Sequence, residues 1–306
     1  MKMTGFHQPV LLHELVAAVA PTAGDVVVDC TLGGGGHAEA VLQAADCRVV
    51  GIDRDPAALA EARARLQPFG DRFVAVHARF SEVERVLEGL ALPRVQAIYA
   101  DFGVSSHQLD TAERGFSFRA SGPLDMRMDP TAATTAADIV NGWGEAELAD
   151  LLKTFGEERR AARVASRIVA GRPFADTAAL AKVVAEAVGG PPGRIHPATR
   201  TFQALRIAVN DELGEITRWL PAALGRLAPG GRLAAITFHS LEDRIVKRFL
   251  AEAAGKGRPR DAYGNPVGEV TVRLGRDVTP SADDPNPRAR SARLRVATRL
   301  SAQEGA

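Results

Sequence analysis

Residues 98–110 read IYADFGVSSHQLD: an apolar run ends in the carboxylate Asp101, and the hydroxyls of Ser105 and Ser106 follow at once. Acids and hydroxyls so placed can accept the protons of an amine, and ligands of α/β proteins bind at the carboxyl ends of sheet strands. A second constellation lies upstream. The segment VVVDCTLGGGGHAEAVL sets Gly33, Gly34, Gly35 and Gly36, then His37, between an apolar run and a helical pattern. Glycines let a backbone turn tightly and approach a ligand, and a helix start offers unpaired N–H groups. Asp53 closes another apolar run, where a carboxylate can accept hydrogen bonds from ribose hydroxyls. Phe80 follows a third run, where its ring can pack on adenine.

Two cofactor classes fit these residues. Gly33, Gly35 and Ala38 satisfy a G-x-G-x-x-A dinucleotide pattern, a weak match by itself. S-adenosylmethionine instead carries a sulfonium cation and no phosphate, and Asp29, four residues before Gly33, suits a cation. The residues alone therefore leave three readings: a methyltransferase, a nicotinamide-dependent (NAD) dehydrogenase, and a catalytically silent RNA-binding assembly factor. Metal chemistry is not expected, because the seven histidines show no paired ligand spacing.

These side chains need a sheet to hold them. Apolar runs at 26–30, 48–53, 73–78 and 97–102 alternate with segments of helical periodicity, after a helix near 9–20. That alternation predicts a doubly wound parallel sheet. Between 107 and 211 no strand pattern stands out: a Gly/Pro-rich loop at 115–130 is followed by helical stretches such as EAELADLLKTF, ERRAARVASRIVA and TAALAKVVAEAV. Strand signals return at 232–238, 269–274 and 292–299. The expectation is one discontinuous α/β domain, 1–106 and 212–306, interrupted by an all-helical domain at 107–211.

Composition narrows the setting. The 306 residues are 46% hydrophobic and 25% charged, with formal net charge +1, as in an ordinary globular chain. No stretch approaches the roughly 18 apolar residues of a membrane span, and no signal-peptide profile is seen at the N-terminus. With only Cys30 and Cys47, a cytoplasmic protein with reduced thiols is expected. Charge is uneven, for residues 244–306 hold 13 Lys/Arg against 7 Asp/Glu. Such a face can contact phosphates, and Arg288, Arg290, Arg293 and Arg295 are candidates, while Arg127 and Arg200 elsewhere are candidate RNA or active-site contacts. His239 and Ser240, after the fifth strand, are candidates for shaping a base pocket.

The blocks DCTLGGGGH, GIDRDPAAL, DFGVSSHQLD, GPLDMRMDP, HPATRTFQALRIAVNDEL, FHSLEDRIVKRF and NPRARSARLRVA closely resemble the RsmH (MraW) family, over about residues 6–299. These are bacterial 16S ribosomal RNA methyltransferases that use S-adenosyl-L-methionine to methylate N4 of a decoding-centre cytidine. The resemblance implies a class I (Rossmann-like) methyltransferase sheet with a helical insertion that helps recognise substrate. Carried over by position, it implies cofactor contacts at Gly35, Gly36, His37, Asp53, Phe80, Asp101 and Gln108. The chemistry of a conjugated amine adds the expectation that Asp101 lies between cofactor and target amine, with Ser105 or Ser106 as supporting acceptors. The implied partner is 16S rRNA within the small subunit or a late precursor, and a homodimer stays open.

Overall fold

The computed structural model describes residues 9–189, 195–259, 261, 263, 267–281, 286, 289–301 and 303–304, apart from the Ser106 side chain. The chain divides into two units, Met1–Gly103 with Leu213–Ala306, and Val104–Glu212.

The first unit is built on seven strands: β1 (Val26–Asp29), β2 (Arg48–Asp53), β3 (Phe73–His77), β4 (Val95–Asp101), β5 (Leu227–Thr237), β6 (Val272–Leu274) and β7 (Arg293–Arg299). They lie in the order β3-β2-β1-β4-β5-β7-β6. β1 to β5 are parallel, while β7 runs antiparallel to both β5 and β6. This is a Rossmann-like α/β sheet whose order reverses at β1, and the carboxyl ends of β1 and β4 flank that switch point, where such sheets bind ligands. Helices α1 (Leu12–Val19), α2 (Gly36–Ala44), α3 (Pro56–Leu66) and α4 (Val83–Gly89) belong to the same unit.

Both faces of the sheet are covered, so its strands read as continuous apolar runs. Alternation then sorts side chains between two cores. Val28, Ile98 and Ala100 pack with Trp219 on one face, and Val27, Ala97 and Tyr99 pack with Leu15 and Leu42 on the other. Burial of a large aliphatic or aromatic side chain contributes roughly 1.5–3 kcal/mol, which fixes the register and hence the positions of Asp29 and Asp101 at the strand ends.

The second unit carries α5 (Ser106–Asp110), α6 (Ala136–Gly142), α7 (Glu145–Gly156), α8 (Ala161–Ala170), α9 (Thr177–Val188) and α10 (Thr199–Asn210). Buried residues recur at helical spacing: Leu148, Leu151 and Leu152 in α7, Ala161, Val164, Ala165 and Ile168 in α8, Leu180, Ala181 and Val184 in α9. Together with Phe116, Met126 and Phe202 they form the unit's own core. Asn210 is buried there and ties the loop to α10: its side chain accepts from Met128 N–H at 2.8 Å and donates to the Met126 carbonyl at 2.8 Å. The chain then continues through α11 (Glu212–Arg226) to β5, and α12 (Ser240–Ala253) follows β5.

One local outcome differs from the sequence pattern: the run at 269–274 pairs as a strand only over Val272–Leu274. β7 lies between β5 and β6. Cys30 and Cys47 are buried free thiols, and no helix among the described residues is long and apolar enough to cross a membrane.

Candidate active site

The site is assembled from the carboxyl ends of β1, β2, β4 and β5. At the end of β1, Asp29 is 1% exposed. Its Oδ2 accepts from the Tyr99 hydroxyl at 2.9 Å and its Oδ1 from Thr31 N–H at 3.1 Å. The Thr31 hydroxyl in turn accepts from Asp101 N–H at 2.6 Å. One hydrogen-bonded chain thus runs from Tyr99 on β4 through the β1 turn and back to the end of β4. Burial pushes the Asp29 carboxyl up to about 7, against the bonds from Thr31 and Tyr99 that favour its charge.

The glycine turn follows. Gly35 caps α2 with φ 80°, a left-handed conformation that a side chain disfavours. The N–H of Gly33 donates to Asp53 Oδ2 at 2.8 Å, while Asp53 Oδ1 accepts from Asp55 N–H at 2.8 Å. Asp53 therefore stitches the β1 turn to the β2 turn, and burial raises its carboxyl above the usual range. Asp55 caps α3 through Ala57 N–H at 3.0 Å, with Pro56 in the first turn.

His37 opens α2 and is buried. Its Nε2 lies 3.1 Å from the Val10 carbonyl, which fixes Nε2 as the protonated nitrogen and leaves Nδ1 as an acceptor. Burial lowers its pKa to about 4, so the ring is neutral near pH 7. Nδ1 lies 3.8 Å from Asp101 Oδ2. Asp101 Oδ1 is buried and accepts no hydrogen bond among the described residues. Burial, then the charges of Asp29 and Glu242, hold this carboxyl well above the ordinary carboxylate range.

Phe80 is half-buried, its ring 5.6 Å from that of Phe102 and 6.4 Å from that of Trp219. After β5, Glu242 is wholly buried. Its Oε2 accepts from Phe238 N–H at 2.7 Å and His239 N–H at 3.2 Å, and Oε1 lies 2.9 Å from His239 Nε2.

The structure brings Gly35, Gly36, His37, Asp53, Phe80 and Asp101 to this unit's strand ends. Ser105 and Gln108 lie in the other unit and bond to each other. Ser105 caps α5, its hydroxyl accepting from Gln108 N–H at 3.2 Å while Gln108 Oε1 accepts from Ser105 N–H at 3.0 Å. The Ser106 side chain lies outside the described residues. Sequence reasoning missed Thr31, Tyr99 and Glu242. Tyr99 carried a usable signal, since it stands two residues before Asp101 and faces the same way along β4.

The proposed phosphate contacts need correction in two places. Arg127 is held by Asp125 (Nε–Oδ1 2.9 Å, Nη2–Oδ2 2.7 Å) and by the Ala132 carbonyl at 2.7 Å, so its guanidinium braces its own loop. Arg295 is buried and paired with Asp243 at 2.7 Å and Asp277 at 2.6 Å. Arg200 and Arg290 are exposed and Arg293 is 43% exposed, whereas Arg288 lies outside the described residues.

A sequence model described as the MraW methylase family matches residues 4–300. A ribosomal RNA small subunit methyltransferase H from Geobacter sulfurreducens is 51% identical, the match covering 97% of this chain and all of the relative. Proteins of the same name from Acidiphilium cryptum and Synechococcus elongatus are each 50% identical. These matches cover 97% and 96% of this chain, and 98% and 95% of the relatives.

Proposed function

This chain belongs to the MraW methylase family, and on that premise we propose that it methylates 16S rRNA of the small ribosomal subunit, using S-adenosyl-L-methionine. The target in this reading is the exocyclic N4 amine of a decoding-centre cytidine, presented in the assembled subunit or a late precursor. Family membership sets the dehydrogenase reading aside. What the relatives are named for supports the RNA part, and cytoplasmic location follows from such a substrate.

The observation that carries the cofactor part is the crowding of carboxyls at the strand ends. Burial, with the charge of Asp53, raises Asp29, and burial, with the charges of Asp29 and Glu242, raises Asp101. A pyrophosphate would add negative charge to that region, whereas a cation relieves it. S-adenosyl-L-methionine supplies a methyl group on a sulfonium, with a neutral thioether as leaving group.

The chain's own residues then have separable tasks. Gly35, Gly36 and His37 shape the floor beside the donor. Each Asp53 oxygen has a second lone pair for a ribose hydroxyl, and the Phe80 ring offers a face to adenine. Gln108 is a further cofactor contact. The unsatisfied Asp101 Oδ1 accepts an N–H of the target amine, which frees the nitrogen lone pair from conjugation with the ring. As a carboxylate it also faces the charge that moves during transfer, a form of electrostatic preorganisation. Ser105 and Ser106 act as supporting acceptors on the turn after β4. A cytidine must leave its stack to be reached, because base edges inside helical RNA are poorly accessible.

The test is transfer of labelled methyl groups to small subunits from a strain lacking the enzyme, followed by nucleoside analysis. Label in N4-methylcytidine is expected. Label on a ring carbon or a ribose oxygen, or none at all, would overturn the reading.

A further inference from the structure

In the helical unit three rings climb from core to surface. Phe202, on α10, is 4% exposed. Phe118 is half-buried and meets it edge-on, with centroids 4.8 Å apart at 71°. His196 is exposed and lies over Phe118, centroids 4.6 Å apart at 35°. The imidazole is also fixed in plane, since its Nδ1 accepts from Ala198 N–H at 3.1 Å. That bond sets the orientation of the ring, which presents a flat surface.

An exposed aromatic held on two sides is unusual expenditure for a surface position. Beside it Ile195 is 67% exposed, which extends the apolar area. Arg119 follows Phe118 directly, Arg200 stands in the first turn of α10, and both are exposed. A fixed ring, an aliphatic neighbour and exposed arginines close by in the chain match what single-stranded nucleic acid offers: a flat base and a phosphate on each side. A lipid surface would call for a broader apolar face, and a peptide for a groove.

We propose that His196, backed by Phe118, is a stacking platform for one unpaired base of the RNA substrate, with Arg200 on the adjoining phosphate. The proposal deepens the function proposed above and rests on it. A platform of this kind recognises a π-face and not a base edge, so it fixes the strand's path without reading its sequence.

The probe is a single-stranded hexaribonucleotide carrying 2-aminopurine, whose fluorescence is quenched on stacking. His196→Asn keeps an acceptor for the Ala198 N–H while removing the ring, and His196→Phe keeps a ring. Quenching is expected with the unchanged protein and with His196→Phe. With His196→Asn the quench is lost and affinity falls about tenfold, the scale of one lost stack. Arg200→Ala should lower the salt dependence by about one counterion and leave the quench at saturation intact. Equal quenching by His196→Asn and the unchanged protein would overturn the platform. S-adenosyl-L-methionine binding and circular dichroism, unchanged in all three variants, report folding. Methyl transfer to small subunits by the unchanged protein keeps the two readings apart: quenching without transfer defeats the proposed function alone, and transfer with an undiminished His196→Asn quench defeats the platform alone.

Discussion

Asp101 in the sheet unit and Asp125 in the helical unit are similarly accessible, with side chains 23% and 29% exposed. Their carboxyls nevertheless move in opposite directions. Burial raises both, but at Asp125 the Arg127 guanidinium more than offsets it and holds the group below its usual range. At Asp101 the nearby charges are those of Asp29 and Glu242, which push the same way as burial. The helical unit closes its charges on itself and gains stability from them. The sheet edge keeps acids facing acids, an arrangement that weakens the unliganded fold and is relieved by a cation. Strain of that kind, stored at strand ends, marks a binding edge more clearly than conspicuous residues do.

The contrast can be broken at its sharpest point by Asp101→Asn. Methyl transfer to small subunits should fall about 10²- to 10³-fold, the scale of losing one preorganised acceptor. The melting temperature should rise, because a strained carboxyl is gone. A variant that lost stability and kept its rate would refute the assignment. The mirror experiment is Arg127→Ala, which strips Asp125 of its partner. Urea unfolding should show a loss of about 1–2 kcal/mol, reduced from a fully buried pair because both groups are partly exposed, with the rate per folded molecule little changed.

Tyr99→Phe removes the hydroxyl from Asp29 and should cost about 1 kcal/mol near pH 7. Its pH signature distinguishes it from simple loss of packing. The folded Asp29 pKa, about 7, lies above its ordinary value of 3.8. The folded state therefore binds the extra proton, and Asp29 contributes instability that grows as pH rises from 3.8 to about 7. Without the Tyr99 hydrogen bond that window extends upward, so the loss measured at pH 8 should exceed the loss at pH 6. The smallest effect concerns ligand affinity. A cation at the edge favours ionised Asp29 and Asp101, so binding releases protons, and S-adenosyl-L-methionine should bind about threefold to tenfold tighter at pH 7.5 than at pH 5.5. Calorimetry in buffers of different ionisation enthalpy reads that release directly, and proton uptake would reverse the sign argued here.

Much of the sheet was visible in the chain itself, because strands buried on both faces must be apolar runs and four of them alternate with helices before residue 102. The chemistry at their ends was visible as breaks in those runs, at Asp29, Asp53 and Asp101. What stayed hidden depends on long-range pairing. Arg295 reads as a surface cation until Asp243 arrives from α12 and Asp277 from just after β6. Tyr99 shares a face with Asp101, but its partner Asp29 is found only once β1 is placed beside β4. Glu242 reads as a helix-surface acid until its carboxylate turns back onto the Phe238 and His239 N–H groups. The short helices α5 and α6 were missed because five and seven residues show too little periodicity to stand out.

The sheet is interrupted between two strands that lie side by side. β4 pairs with β5, bringing Asp101 opposite Ile236, yet all of Val104–Glu212 intervenes. During synthesis the first four strands emerge with one margin of β4 unpaired, and it stays so until the intervening segment has cleared the ribosome. A loose segment of that length makes closure entropically costly, whereas prior collapse of the helices around their own core shortens the search. The wiring thereby favours one order of assembly: helices first, then β5 completing a half-made sheet, and with it the strand that lies beside Asp101.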